Sequence, residues 1–199
     1  MEVLAMLRNI VSQCAKVITF GAQIQGKAKN ELITSLQDIC DKCENSYSQV
    51  LAKLLPIKNS FNDDKDLALA LRKFAADKKT RDAFKPEKLC GKVDIFLGRL
   101  ENNLDPLKYS IDIMRIKTIR NNIGLIGNLD GYIRDQYDEF TKALDQLSYE
   151  LEKGSVAGSS ELRSYVQMTI TDFENELSAT ISSVREAKNQ ILGKQAKVR

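Results

Sequence analysis

The sequence predicts an all-α fold, an elongated bundle of four to five long, mostly antiparallel helices with coiled-coil-like packing. Three observations predict it. Apolar residues recur at spacings of three and four through most of the 199 residues, Pro occurs only three times, and alternating runs of Val, Thr and Tyr are missing. Hydrophobic residues make up 43% and charged residues 29% of the chain, which is enough apolar material for a continuous core.

Val3, Leu4, Leu7, Ile10, Val11, Cys14 and Ile18 share one side of a first helix. Gly21 and Gly26 weaken the pattern, so the chain kinks there or begins a second helix. Leu32, Leu36, Ile39, Cys43, Tyr47, Val50, Leu54 and Ile57 carry the next stripe, which Pro56 ends or bends. Residues 59–64 (Asn-Ser-Phe-Asn-Asp-Asp) supply capping side chains for a short helix that ends near Lys79 and turns Leu67, Leu71, Phe74 and Ala75 inward.

Pro86 suits the first position of a following helix, with Glu87 in its electropositive first turn. Val93, Leu97, Leu100, Leu104, Leu107, Ile111 and Met114 then step by four and three without a miss. Asp105-Pro106 falls inside this run. Because the apolar phase survives the Pro, the expectation is a kinked pair of helices lying on one core face. The reversing turn is placed between Asn121 and Gly131, where Gly124, Gly127 and Gly131 accumulate; were the chain helical there, the three glycines would share a face and permit close packing.

Leu129, Ile133, Phe140, Leu144, Leu147 and Leu151 mark the next helix. Residues 154–160, rich in Gly and Ser, read as a flexible linker. Leu162, Val166, Ile170, Phe173, Leu177, Ile181, Val184 and Ile191 follow on a final helix of about 30 residues, roughly 45 Å long. Residues 1–193 are thus read as a single domain and 194–199 as a basic tail. The final helix is expected to pack in the bundle or to mediate self-association.

The chain has no histidine. Ser-His-Asp and Cys-His catalysis, His-ligated haem and the Glu-x-x-His motif of di-iron bundles are therefore excluded. No Walker loop or Rossmann glycine fingerprint is present. Cys40-x-x-Cys43 has the spacing of a redox or metal pair, yet it lies within a patterned helix and not at a helix start, and the distant Cys14 and Cys90 do not complete a ligand set. The thiols read as packing residues. No catalytic, cofactor-binding or metal-binding residue is assigned, and no small-molecule substrate is expected.

Two segments carry functional expectations. Between residues 72 and 92, Arg72, Lys73, Lys78, Lys79, Arg81, Lys85, Lys88 and Lys92 face only three carboxylates, a net +5. Such a segment can meet a protein partner or anionic lipid, or it can complement residues 129–152, whose net charge is −5. With a whole-chain charge of only +3, nucleic acid is not the expected partner. The first helix offers Val3, Leu4, Leu7, Ile10, Val11 and Ile18 as an insertion face for a membrane interface or a partner groove, against the plainer role of a core helix.

An apolar first helix heading a small bundle with a basic surface resembles in outline the membrane-disrupting helical domains of cell-death effectors. That likeness implies membrane activity. The leading expectation is instead a non-enzymatic module that works through protein contacts or self-association, as an assembly, adaptor or inhibitory element. The apolar stretch from Val3 to Ala22, interrupted by Arg8 and Lys16, reads neither as a membrane span nor as a signal peptide. With no Asn-x-Ser/Thr sequon, a cytoplasmic location, free or peripheral to a membrane, is expected.

Overall fold

In the computed structural model, the structure describes residues 2–20, 26–84, 89–125, 129–153 and 159–195, with side chains described for 4–19, 28–84, 91–121, 131–153 and 160–193. Among these residues there are nine helices and no strand. They are α1 (Glu2–Phe20), α2 (Gly26–Ala52), α3 (Leu55–Asn59), α4 (Asp64–Ala76), α5 (Lys78–Phe84), α6 (Leu89–Asn102), α7 (Ser110–Leu125), α8 (Leu129–Lys153) and α9 (Ser159–Gln195). The chain is an all-α bundle built on the long helices α1, α2, α8 and α9.

The axis of the bundle is α9, at 37 residues longer than the sequence pattern alone suggests. Its stripe of Val166, Ile170, Phe173, Leu177, Ile181, Val184 and Ile191 is buried, and α1 and α2 lie along it. Each such buried side chain contributes about 1.5–3 kcal/mol relative to exposure. Ion pairs fix the direction. Glu44 meets Arg185 at 2.7 Å, Asp41 meets Lys188, and Lys58, just past the end of α2, meets Glu174 at 2.8 Å, so α2 runs antiparallel to α9.

On the other side α4 packs along α8. A chain of aromatic rings ties the layers together: Tyr47 of α2 meets Phe84 of α5 at 5.8 Å between centroids, Phe84 meets Tyr137 of α8 at 4.8 Å and Phe173 of α9 at 5.9 Å, and Phe140 meets Phe173 at 4.3 Å. Such contacts add about 0.5–1.5 kcal/mol each beyond the area they bury.

The helix starts follow capping chemistry. Asp63, in an extended conformation, accepts from the Lys65 and Asp66 amides and starts α4. Pro56 stands in the first turn of α3, after α2 has ended at Ala52. The helix expected to run to Lys79 stops at Ala76. Asp77 turns extended there (φ −75°, ψ 99°), and its carboxylate accepts from the Lys79 amide at 3.0 Å and the Thr80 hydroxyl at 2.9 Å, so a new helix, α5, begins.

The expected kinked pair around Pro106 is a reversal. Asp105 accepts from the Leu107 amide on its side chain (2.9 Å) and from the Tyr109 amide on its carbonyl (2.9 Å), closing a tight turn between α6 and α7. Arg120 of α7 then lies beside Asp94 of α6 at 3.0 Å, and Lys117 approaches Glu101, an antiparallel register. Val93, Leu97, Leu100 and Leu104 are core, as expected. Leu107, Ile111 and Met114, which continue the same spacing, are not: 94%, 61% and 64% of their surfaces are exposed. The spacing runs through the turn, but the turn carries that face away from the core.

The break between α7, which ends at Leu125, and α8, which begins at Leu129, falls inside the stretch from Asn121 to Gly131, although α7 takes up the first five residues of that stretch. Gly127, and residues 154–158 of the expected linker, lie outside the described residues, as does the basic tail beyond 195.

Candidate interaction surface

The basic segment does not gather into one patch. Arg72 pairs with Glu152 at 2.7 Å, Arg81 with Asp138 at 2.5 Å, and Lys92 with Asp38. The first two join α4 and α5 to the acidic α8, so the positive and negative segments complement each other within the chain. Lys73, Lys78 and Lys79 are exposed and make no ion pair with a described residue. Lys85 and Lys88 lie outside the described residues.

The proposed insertion face of α1 is core. Leu4, Leu7, Ile10, Val11 and Ile18 are each at most 4% exposed, and Arg8 beside them is held to Glu176 of α9 at 2.7 Å and to the Thr180 hydroxyl at 3.2 Å. The Val3 side chain lies outside the described residues. Among the described residues no helix is long and apolar enough to cross a membrane.

The thiols are equally enclosed. Cys14, Cys40 and Cys43 are free and buried where α1 meets α2. Burial pushes the Cys40 and Cys43 thiols up to about 12, and Cys14 is raised further by the same loss of solvent. A thiolate is the nucleophilic and metal-binding form, so this setting suppresses both chemistries. Among the described residues no group of three or more Cys, Asp or Glu is placed to hold a metal ion.

An exposed apolar surface lies on the α6–α7 hairpin. Ser110–Leu125 is helical with apolar residues on two opposite faces. One face carries Ile116, which is buried, with Tyr109, Ile113 and Ile119 packed against the core. Arg120 reinforces it, reaching Asp94 at 3.0 Å and Glu101 at 3.1 Å. The opposite face carries Ile111 and Met114, continued by Leu107 in the turn before the helix. At 100° per residue Ile111 and Met114 lie about 60° apart on α7. Lys108, Arg115 and Lys117 flank them, all exposed. Arg115 approaches Asp112 at 3.4 Å and Lys117 approaches Glu101 at 3.7 Å.

Sequence reasoning read Leu107, Ile111 and Met114 as core and so missed this surface. The signal was present. Tyr109, Ile113, Ile116 and Ile119 form a second stripe over the same residues, and one helix cannot bury two opposite stripes at the edge of a bundle.

A groove of about 370 Å³ lies between α3 and α4. Pro56, Leu69 and Phe74 line it, with Lys53 and Asp77 paired at 3.2 Å on its rim. Comparison with family models, with curated proteins and with solved structures returns no match.

Proposed function

We propose that the chain is a non-enzymatic docking module that acts through protein contacts, with the outer face of α7 as its principal surface. One observation carries this reading. Among the described residues the core-facing stripes of α1, α2, α8 and α9 are buried, whereas Leu107, Ile111 and Met114 stand in solvent close together in sequence on the α6–α7 hairpin. Contiguous exposed apolar side chains at one place mark an interface far more often than scattered ones do. The lack of histidine and the suppressed acidity of the buried thiols support a role that does not involve catalysis.

The membrane reading draws less support, because the α1 face it relied on serves the core. Insertion of α1 would require breaking the Arg8–Glu176 pair and exposing the α9 stripe.

The test is photo-cross-linking in the cells from which the sequence derives, with a photoreactive residue at position 114 or, as a control, at the exposed position 182 of α9. Discrete protein adducts from 114 and not from 182 are expected. Adducts to lipid alone, or equal adducts from both positions, contradict the proposal.

A further inference from the structure

We infer that the outer face of α7 receives an amphipathic helix of another protein whose flanking positions carry Glu or Asp. The inference rests on the docking role proposed above and adds the chemistry of the partner.

The first ground is spacing. Leu107, Ile111, Met114, Thr118 and Asn121 follow one another by four, three, four and three residues, and all five are exposed. Within α7 this is the a/d spacing of a helix-on-helix seam, with Ile111 at a and Met114 at d, and Leu107 precedes it in the turn. The arc is narrow. A helix that lies in a lipid interface needs a broad apolar face, whereas a strip one side chain wide fits the groove of a single partner helix. The polar Thr118 and Asn121 continue the seam and give it a register, since a polar residue at a seam position restricts which partner layers can face it.

The second ground is charge. The positions that border such a seam are e and g, occupied within α7 by Arg115 at e and by Ser110 and Lys117 at g, with Lys108 in the turn just before it. Every charge bordering the seam in this stretch is therefore positive. Lys108 has no ion-pair partner among the described residues, and Arg115 and Lys117 hold their own-chain carboxylates only at 3.4 Å and 3.7 Å, both with more than half of the side chain in solvent. Two copies of this seam would set Lys and Arg against Lys and Arg, which opposes self-pairing. A partner helix bordered by carboxylates satisfies the same positions.

The face also stands clear of the other described residues. α7 rests chiefly on α6 and uses its Ile113–Ile116–Ile119 side to do so, leaving the seam on the far side. A partner helix can approach without displacing a bundle helix.

The experiment uses the full chain and three probes: a labelled 21-residue helix-forming peptide with Leu and Ile at a and d and Glu at e and g, the same peptide with Lys at e and g, and vesicles of phosphatidylcholine with phosphatidylserine. Fluorescence anisotropy at low salt is expected to show the Glu peptide binding at least about tenfold more tightly than the Lys peptide. The Ile111→Asp/Met114→Asp variant should lose this binding, and Lys108→Glu/Arg115→Glu should invert the preference, with unchanged melting in each case because all four residues are exposed. Equal binding of the two peptides, failure of the Glu peptide to bind, or binding untouched by both variants would overturn the inference. Vesicle binding that the Ile111→Asp/Met114→Asp variant abolishes, without peptide binding, would reassign the face to anionic lipid and overturn it as well. Protein adducts from position 114 without a preference for the Glu peptide would leave the docking role standing and remove only the acidic helix.

Discussion

Arg120 of α7 reaches back along the bundle to Asp94 of α6, Nε to Oδ1 at 3.0 Å, while the same guanidinium meets Glu101 one end of the helix further on. These contacts are possible only because the chain reverses at Asp105-Pro106. The reversal turns Tyr109, Ile113, Ile116 and Ile119 toward the core and leaves Leu107, Ile111 and Met114 outside. Two residues of equal hydrophobicity, seven apart on one sequence stripe, therefore have opposite fates: Leu100 is fully buried and Leu107 is 94% exposed.

Leu100→Asp and Phe173→Asp should each lower stability by about 3–5 kcal/mol, on the order of a whole domain's margin, because each buries a carboxylate without a partner. Leu107→Asp should melt within a degree or two of the parent. Thermal melts followed by circular dichroism separate the three. A destabilised Leu107→Asp would return that residue to the core and restore the kinked pair.

Asp77 should act as a cap for α5. Its carboxyl is held below the ordinary aspartate range, first by the Thr80 hydroxyl and then by Lys53 and the Lys79 amide. A depressed carboxyl stabilises the fold above the unfolded aspartate value and loses that contribution as pH falls through the folded value, which places the loss below about pH 4. Asp77→Ala should cost about 1 kcal/mol at neutral pH in urea titrations. The difference between variant and parent should shrink toward pH 3, and a difference that grows in acid would contradict the assignment.

The stripes that became α1, α2, α8 and α9 were legible because each is long, in phase and uninterrupted, as Val166 to Ile191 show. A cap among residues 59–64 was legible from their place before an apolar run, and the structure assigns it to Asp63. The Asp77 break was harder to see, since Lys78 to Phe84 continues a helical composition and only the extended backbone of one residue divides it. Around Pro106 the pattern misled, because a turn of the right length preserves spacing while reversing direction. The candidate surface was hidden by the same coincidence. Pairing of the basic segment with α8 could be anticipated from opposite net charges, but the individual partners Arg72–Glu152 and Arg81–Asp138 depend on register that only the packed helices define.

Cys40 and Cys43 should resist modification. With pKa values pushed up to about 12 and side chains at most 1% exposed, they offer almost no thiolate at pH 8. In a Cys90→Ser background, an aromatic disulfide reagent should react with the native protein far more slowly than with the urea-unfolded chain, where three thiols should titrate. Rapid reaction in the native state would mean that the α1–α2 contact opens readily.

The Tyr137 hydroxyl is buried and has no hydrogen-bond partner among the described residues, and burial, with Asp77 and Asp138 nearby, raises its pKa well above that of a free phenol. Leaving such a group unpaired costs about 1–3 kcal/mol. Tyr137→Phe keeps the ring between Phe74 and Phe84 and should therefore match or exceed the parent in stability by urea titration. A loss of more than about 1 kcal/mol would show that the hydroxyl is satisfied.

The central claim is that folding and docking reside on opposite faces of α7. It is tested most directly by replacing the chain in its own cells with the Ile111→Asp/Met114→Asp variant and measuring the sedimentation of the native protein in extract, beside the melting of the purified variant. The account predicts that the parent sediments in an assembly larger than its own 22.4 kDa, that the variant sediments alone, and that both melt at the same temperature. A variant that stays in the assembly, or a parent that sediments as a monomer, would contradict it.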